Sequence, residues 1–311
     1  MTGIVLGVGI AAVVAWYLIR TSVRIALGFL LATTFLVPGT VLVPGSFSGY
    51  TNVHRLVLAL FVLNIIRKIA RREIPASVLK PTRVSVVLGL WVVLAFLIGI
   101  AMADSSFPVG ASVFLWVFML EYTVFFLFVL AAARAIGDPW WVARLVATVV
   151  VLAAGVAVYE HFSQRSVARS IAKLMRGGGY LGVPPLGRRG GNVRVQSGFE
   201  FSLAFGWAAT VLLPLVLVVA SRARNRLLRL TPAIVVVAIA WTYARSAYVG
   251  VAVAGLLLLA SSRYDRRIAA YVLAGTIAAL LFAVGTKAYE RTFRSSEVQG
   301  STLVREERLP L

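Results

Sequence analysis

The stretch VSVVLGLWVVLAFLIGIAM, residues Val84–Met102, decides the fold. It carries no charged side chain, and its apolar residues run on every side of a helical wheel. A helix buried on one face of a soluble core keeps a polar stripe on the other. A helix rises 1.5 Å per residue, so about 20 apolar residues cross the roughly 30 Å hydrocarbon layer of a bilayer. Val84–Met102 is therefore expected to be a transmembrane helix.

The same pattern repeats outward in both directions. Before it lie Ile4–Ile19, Ile25–Val43 and Val53–Ile66. After it lie Ala111–Ala133, Trp141–Tyr159, Phe199–Ala220, Leu230–Tyr243, Ala247–Ser261 and Ile268–Val284. The third, eighth and ninth are short, and the last two of these suit a helical hairpin lining a cavity. The expectation is an all-α fold: one polytopic transmembrane bundle of about ten spans over residues 1–311. No polar stretch is long enough for a separate soluble domain. Composition agrees: 60% of the residues are hydrophobic and 14% charged, against roughly 45–50% and 25% in soluble chains.

The net charge of +20 is first a matter of topology. Arg20 and Arg24, the group Arg67 to Arg83, Arg134 and Arg144, the group Arg222 to Arg229, and Arg263 to Arg267 all fall on one set of connections. The opposite short connections, Gly45–Tyr50 and Asp104–Pro108, hold no cation. The basic set is cytoplasmic by the positive-inside rule, which puts the N-terminus outside and the chain in the inner (plasma) membrane as a multi-pass protein. No nucleic-acid motif accompanies the charge. The chain has no cysteine, which removes disulfides, thiolate metal sites and cysteine nucleophiles. No metalloprotease, phosphate-loop or calcium-loop motif occurs, and no metal or cofactor is expected.

Two outer segments depart from the charge rule. Residues 160–198 form an extracytoplasmic loop carrying Arg165, Arg169, Lys173, Arg176, Arg188, Arg189 and Arg194; residues 285–311 carry Lys287, Arg291, Arg294, Arg305 and Arg308. In the first, Val167, Ile171 and Leu174 share one helical face, while Arg165, Arg169 and Lys173 share another. That predicts an amphipathic helix on the membrane surface, ended by Gly177-Gly178-Gly179. Pro184-Pro185 with Gly187, Gly190 and Gly191 predicts an irregular segment. The polar tail ending Leu309-Pro310-Leu311 is expected to open a large outer loop of a longer chain.

Arg194, Arg245 and Arg305 stand out among the outer cations. A guanidinium is always charged and grips phosphate oxygens as a planar fork. Each also has a plain reading: Arg194 as a snorkelling interface residue, Arg305 as a solvated charge, and Arg245 as a paired or hydrated interruption of two apolar runs. Glu121 lies within an apolar span and must be paired or protonated, through either a helix–helix hydrogen bond or a polar cavity. Glu200, six residues after Arg194, can orient an arginine or a sugar. His54 and His161 read as interface residues without an evident partner.

Three blocks of the chain resemble the O-antigen ligase and polysaccharide polymerase superfamily. They are Arg194-Val-Gln-Ser-Gly-Phe with the later Leu212-Leu-Pro-Leu-Val, Thr242-Tyr-Ala-Arg245-Ser-Ala-Tyr-Val-Gly250, and Glu290-Arg291 with Ser301-Thr-Leu-Val-Arg305. The second has Ala244 where that family usually has serine. The resemblance covers about Arg194–Leu311. It implies a GT-C-like membrane glycosyltransferase that moves a glycan from undecaprenyl diphosphate to an acceptor hydroxyl on a lipid or another glycan. It also implies that Arg194, Arg245 and Arg305 hold the diphosphate without a metal, with Glu200 beside them, and that the catalytic histidine lies beyond Leu311. The alternative expectation is a flippase for a lipid-linked oligosaccharide, using Glu121 as a proton or substrate site.

Overall fold

Gly137-Asp138-Pro139 shows how the sequence punctuates its helices. In a computed structural model, residues 13–38, 52–101, 109–174, 186–189, 192–199, 202–244 and 246–253 are described. One helix ends at Ile136, and Gly137 follows with φ +67°, the left-handed turn that a helix C-terminus favours. Asp138 Oδ1 then accepts from the Trp141 amide at 2.9 Å, and Pro139 takes the first position of the next helix.

The described elements are α1 (residues 13–20), α2 (Val23–Leu36), α3 (Val53–Ala70), a 3₁₀ turn (Ala76–Leu79), α4 (Arg83–Ala101), α5 (Val109–Ile136) and α6 (Pro139–Ser163). There follow α7 (Val167–Leu174), a two-stranded ribbon of β1 (Arg188–Arg189) and β2 (Asn192–Val193), α8 (Ser202–Ser221), α9 (Arg226–Arg229), α10 (Thr231–Ala240) and α11 (residues 246–253). Apart from the ribbon the described chain is helical. Among the described residues two helices, α6 and α8, are long and apolar enough to cross a membrane by length and composition. The span expected at Leu230–Tyr243 contains a ten-residue helix, about 15 Å long and short of a bilayer's thickness. The span expected at Ile268–Val284 lies outside the described residues.

The chain divides into two compact units, Met1–Leu30 with Val53–Val142, and Leu31–Asn52 with Ala143–Leu311. In the first, α5 packs against α3 and α4. Thr82 and Ser85 start α4 with a reciprocal cap: the Ser85 amide donates to Thr82 Oγ1 at 3.1 Å, and the Thr82 amide to Ser85 Oγ at 2.6 Å. Basic residues assigned to topology also tie carbonyls at chain ends. Arg67 donates to the Ile19 carbonyl (2.9 Å) and Arg134 to the carbonyls of Val78 (3.0 Å) and Lys80 (2.6 Å). Fully buried Asn64 donates to the carbonyls of Leu18, Ile19 and Thr21 at 2.8–3.2 Å, covering groups that the end of α1 leaves open. From the last turn of α3, the Lys68 ammonium lies 2.6 Å from Glu73 in the following loop and holds that carboxyl below its ordinary pKa.

In the second unit, α8 packs against α10. Gly206 and Gly250 make close approach possible. A Cβ on Gly206 would come within 3.1 Å of both Ala247 Cβ and Thr242 Oγ1, and one on Gly250 would run into the Thr210 side chain. The helix α7 appears where helical spacing predicts it, with Arg165, Arg169 and Lys173 exposed. The segment expected to be irregular instead contains the ribbon, with Arg188 opposite Val193 and Arg189 opposite Asn192.

Candidate functional site

Three short breaks in helix converge in the second unit, and each contains a non-glycine residue in the left-handed region. They are Gln164 (φ +58°) between α6 and α7, Ser197 (φ +56°) before α8, and Tyr243 (φ +50°) between α10 and α11. Such residues cost energy and persist only where their surroundings hold them.

Glu160, near the end of α6, holds two of these breaks together. Its side chain is completely buried. Oε1 accepts from the Val167 amide at 2.9 Å, at the start of α7. Oε2 accepts from the Gln196 amide at 2.9 Å and the Ser197 amide at 2.7 Å. The left-handed Ser197 turns these successive amides toward one point, the arrangement that favours an anion. Buried Gln196 donates through Nε2 to Ser166 Oγ at 2.8 Å, and Ser197 Oγ donates to the Ala153 carbonyl at 2.7 Å. Ser166 in turn caps α7 by accepting from the Arg169 amide at 3.1 Å.

Arg194 stands at the upstream end of this clamped turn. Its amide donates to the Gly187 carbonyl at 2.8 Å, and its Nε donates to the Thr242 carbonyl at 2.9 Å. Beside it, the Val195 amide donates to the Trp241 carbonyl at 3.2 Å. Thr242 is fully buried, and its Oγ1 donates to the Ile239 carbonyl at 2.7 Å while accepting from the Ala244 amide at 3.3 Å. The half-buried guanidinium is thus held by one edge against a carbonyl three residues before Arg245 in the chain. Of the arginines singled out from the sequence, Arg194 is described; Arg245, Arg305 and Glu200 lie outside the described residues.

Trp241, the residue before Thr242, carries a histidine on its ring. His161 lies flat on the Trp241 ring, with centroids 3.9 Å apart and planes 1° from parallel. Phe162 meets both rings edge-on, at 5.4 and 5.7 Å. His161 therefore has an aromatic partner 80 residues away, which no local spacing could reveal.

Glu121 is paired. In the first unit, Arg55 Nε lies 2.7 Å from Glu121 Oε2, and His54 Nε2 lies 3.4 Å from Oε1. This joins α3 to α5 through two basic side chains on one carboxylate, so Glu121 is paired and His54 has a partner. Arg55 escaped notice because it opens a run otherwise read as a span. Glu160 escaped because its partners are backbone amides, which leave no residue signature. Among the described residues no group of three or more His, Cys, Asp or Glu side chains gathers as a metal site. Comparison with protein families, with curated proteins and with solved structures gives no match to this chain.

Proposed function

We propose that the chain is a membrane glycosyltransferase of the O-antigen ligase or polysaccharide polymerase type, with about ten spans in the inner membrane. In this reading it binds an undecaprenyl-diphosphate-linked glycan at the extracytoplasmic face and passes the glycan to an acceptor hydroxyl on a lipid or another glycan. Arg194, Arg245 and Arg305 neutralise the diphosphate, which must be stabilised as it leaves, and Glu200 orients an arginine or a sugar.

One observation supports this reading above the rest. Arg194 Nε rests on the Thr242 carbonyl, so two sequence blocks that resemble the same family, 48 residues apart, meet through their own motif residues. Fixed donors cost no reorganisation when charge develops on a leaving group.

The test is binding to the protein in nanodiscs. Undecaprenyl diphosphate should bind in preference to undecaprenol. Arg194→Ala and Arg245→Ala should each weaken it by roughly 10- to 100-fold, the loss of a charge-assisted contact of about 1.5–3 kcal/mol. Equal binding of the two lipids sinks the reading.

The pairing of Glu121 with Arg55 and His54 favours a second reading, a flippase for the same lipid-linked glycan, because ionisable clusters within apolar helices mark transport paths. Arg245→Ala separates the two in cells. A transferase variant loses product while donor still reaches the outer leaflet, whereas a flippase variant loses the outer-leaflet donor.

A further inference from the structure

We infer that α7 docks on anionic phospholipid headgroups through Arg165, Arg169 and Lys173, and that this contact steadies the turn that carries Arg194. The inference rests on the membrane placement in the proposed function and not on its chemistry.

The placement begins with α6. It has 25 residues and is apolar enough to span. At 1.5 Å per residue it is about 37 Å long, so it crosses the roughly 30 Å hydrocarbon layer and ends among the headgroups. Its last turns leave Tyr159 and Phe162 bare, 56% and 74% exposed, three residues apart on one face. Exposed aromatic rings at the end of a span belong to a membrane–water boundary. Only Gln164, Arg165 and Ser166 separate α7 from α6, so α7 starts at the same depth.

The helix has the two faces that this position needs. Ala168 is fully buried, and Val167 and Ile171 are half-buried. Arg165, Arg169 and Lys173 are exposed, with Arg169 and Lys173 one turn apart and Arg165 just before the first turn. Among the described residues no ion pair uses them. Residues 161–176 contain no Asp or Glu. Glu160, just before them, is buried and committed to three amides. The chain therefore leaves this charge without a local counterpart. A row of cations beside exposed aromatic rings complements a surface of phosphodiesters, where several headgroups lie side by side.

The start of α7 shares its supports with the Arg194 turn. Glu160 accepts from the Val167 amide with one oxygen and from the Gln196 and Ser197 amides with the other. Ser166 Oγ accepts from the Arg169 amide and from Gln196 Nε2. An eight-residue helix is marginal by itself and opens readily. Each opening takes partners away from Gln196 and Ser197. Lipid that binds only the formed helix suppresses that opening.

Hydrogen exchange tests this on the 311-residue chain in nanodiscs of phosphatidylcholine, with or without about one third phosphatidylglycerol. Anionic lipid should slow exchange roughly fivefold or more in α7 and in residues 195–198, with α3 unchanged as the control. High salt should abolish the difference. So should the triple variant Arg165→Gln, Arg169→Gln and Lys173→Gln, whose exchange in zwitterionic discs should match wild type. No slowing in α7 overturns the docking. Slowing in α7 without slowing in 195–198 overturns the link to Arg194. Equal slowing by inorganic phosphate in zwitterionic discs overturns the choice of lipid. A chain washed out of the discs sinks the membrane placement, whereas equal binding of undecaprenyl diphosphate and undecaprenol sinks the transferase and leaves the docking intact.

Discussion

Gly198 sits where no side chain fits. A Cβ there would run into the Phe35 carbonyl oxygen and the Leu36 backbone, and backbone cannot step aside as a flexible side chain can. Gly198→Ala should therefore lower stability by about 1–3 kcal/mol, read as an earlier thermal unfolding midpoint in detergent. The cost of losing Glu160 falls on three amides, two of them just before Gly198. Glu160→Ala leaves the donors of Val167, Gln196 and Ser197 buried without an acceptor, at about 1–3 kcal/mol for each that water does not reach. Glu160→Gln keeps one acceptor oxygen and should fall between. Faster amide hydrogen exchange at Gln196 and Ser197 in the alanine variant, relative to the helix α8, is the direct readout. The sequence made Arg194 and Glu121 legible because a charge in or beside an apolar run demands an explanation. It hid Glu160, whose position at the edge of a span looked like the first residue of a loop.

Helices and their pairings were legible to different degrees. The apolar runs located α4, α5, α6 and α8 to within a few residues at most boundaries, because a membrane-length run needs no tertiary information to be recognised. The run at Leu230–Tyr243 misled: its composition continues through Trp241, but the backbone leaves the helix there and Tyr243 turns left-handed. Composition cannot register a break that is held by contacts with Val195 and Arg194. The bond between α3 and α5 was equally invisible, since Arg55 and Glu121 are 66 residues apart. Its energetics are testable at this scale. Arg55→Ala leaves the Glu121 carboxylate with only His54 beside it and should destabilise the helix pair by about 3–5 kcal/mol. The double variant Arg55→Leu with Glu121→Leu should recover most of that loss, because two apolar side chains replace two charges together. If the double variant unfolds as early as the single one, the ion pair is not what holds α3 to α5.

At the scale of the whole molecule, the distribution of cations makes a topological prediction. Phosphatase reporters fused after Arg72 should be inactive, as expected in the cytoplasm, and those fused after Gln164 should be active. The arginines and lysine around Gln164 make this a demanding test, because basic residues usually mark the opposite side. Active enzyme at both positions, or at neither, contradicts the assigned orientation. With the reporter after Gln164 active, the exposed cations of α7 would lie at the headgroups of the outer leaflet.

The turn at Gln196-Ser197 is, in host–guest terms, a receptor for a carboxylate whose guest is tethered to the chain. The tether supplies the guest at high effective concentration, so no free anion competes for these amides. Cutting it converts the turn into an open receptor. Glu160→Ala should regain thermal stability on adding acetate or formate but not chloride of the same ionic strength, and wild type should ignore all three. A small-molecule carboxylate would then switch the hold on the Arg194 segment from outside the protein.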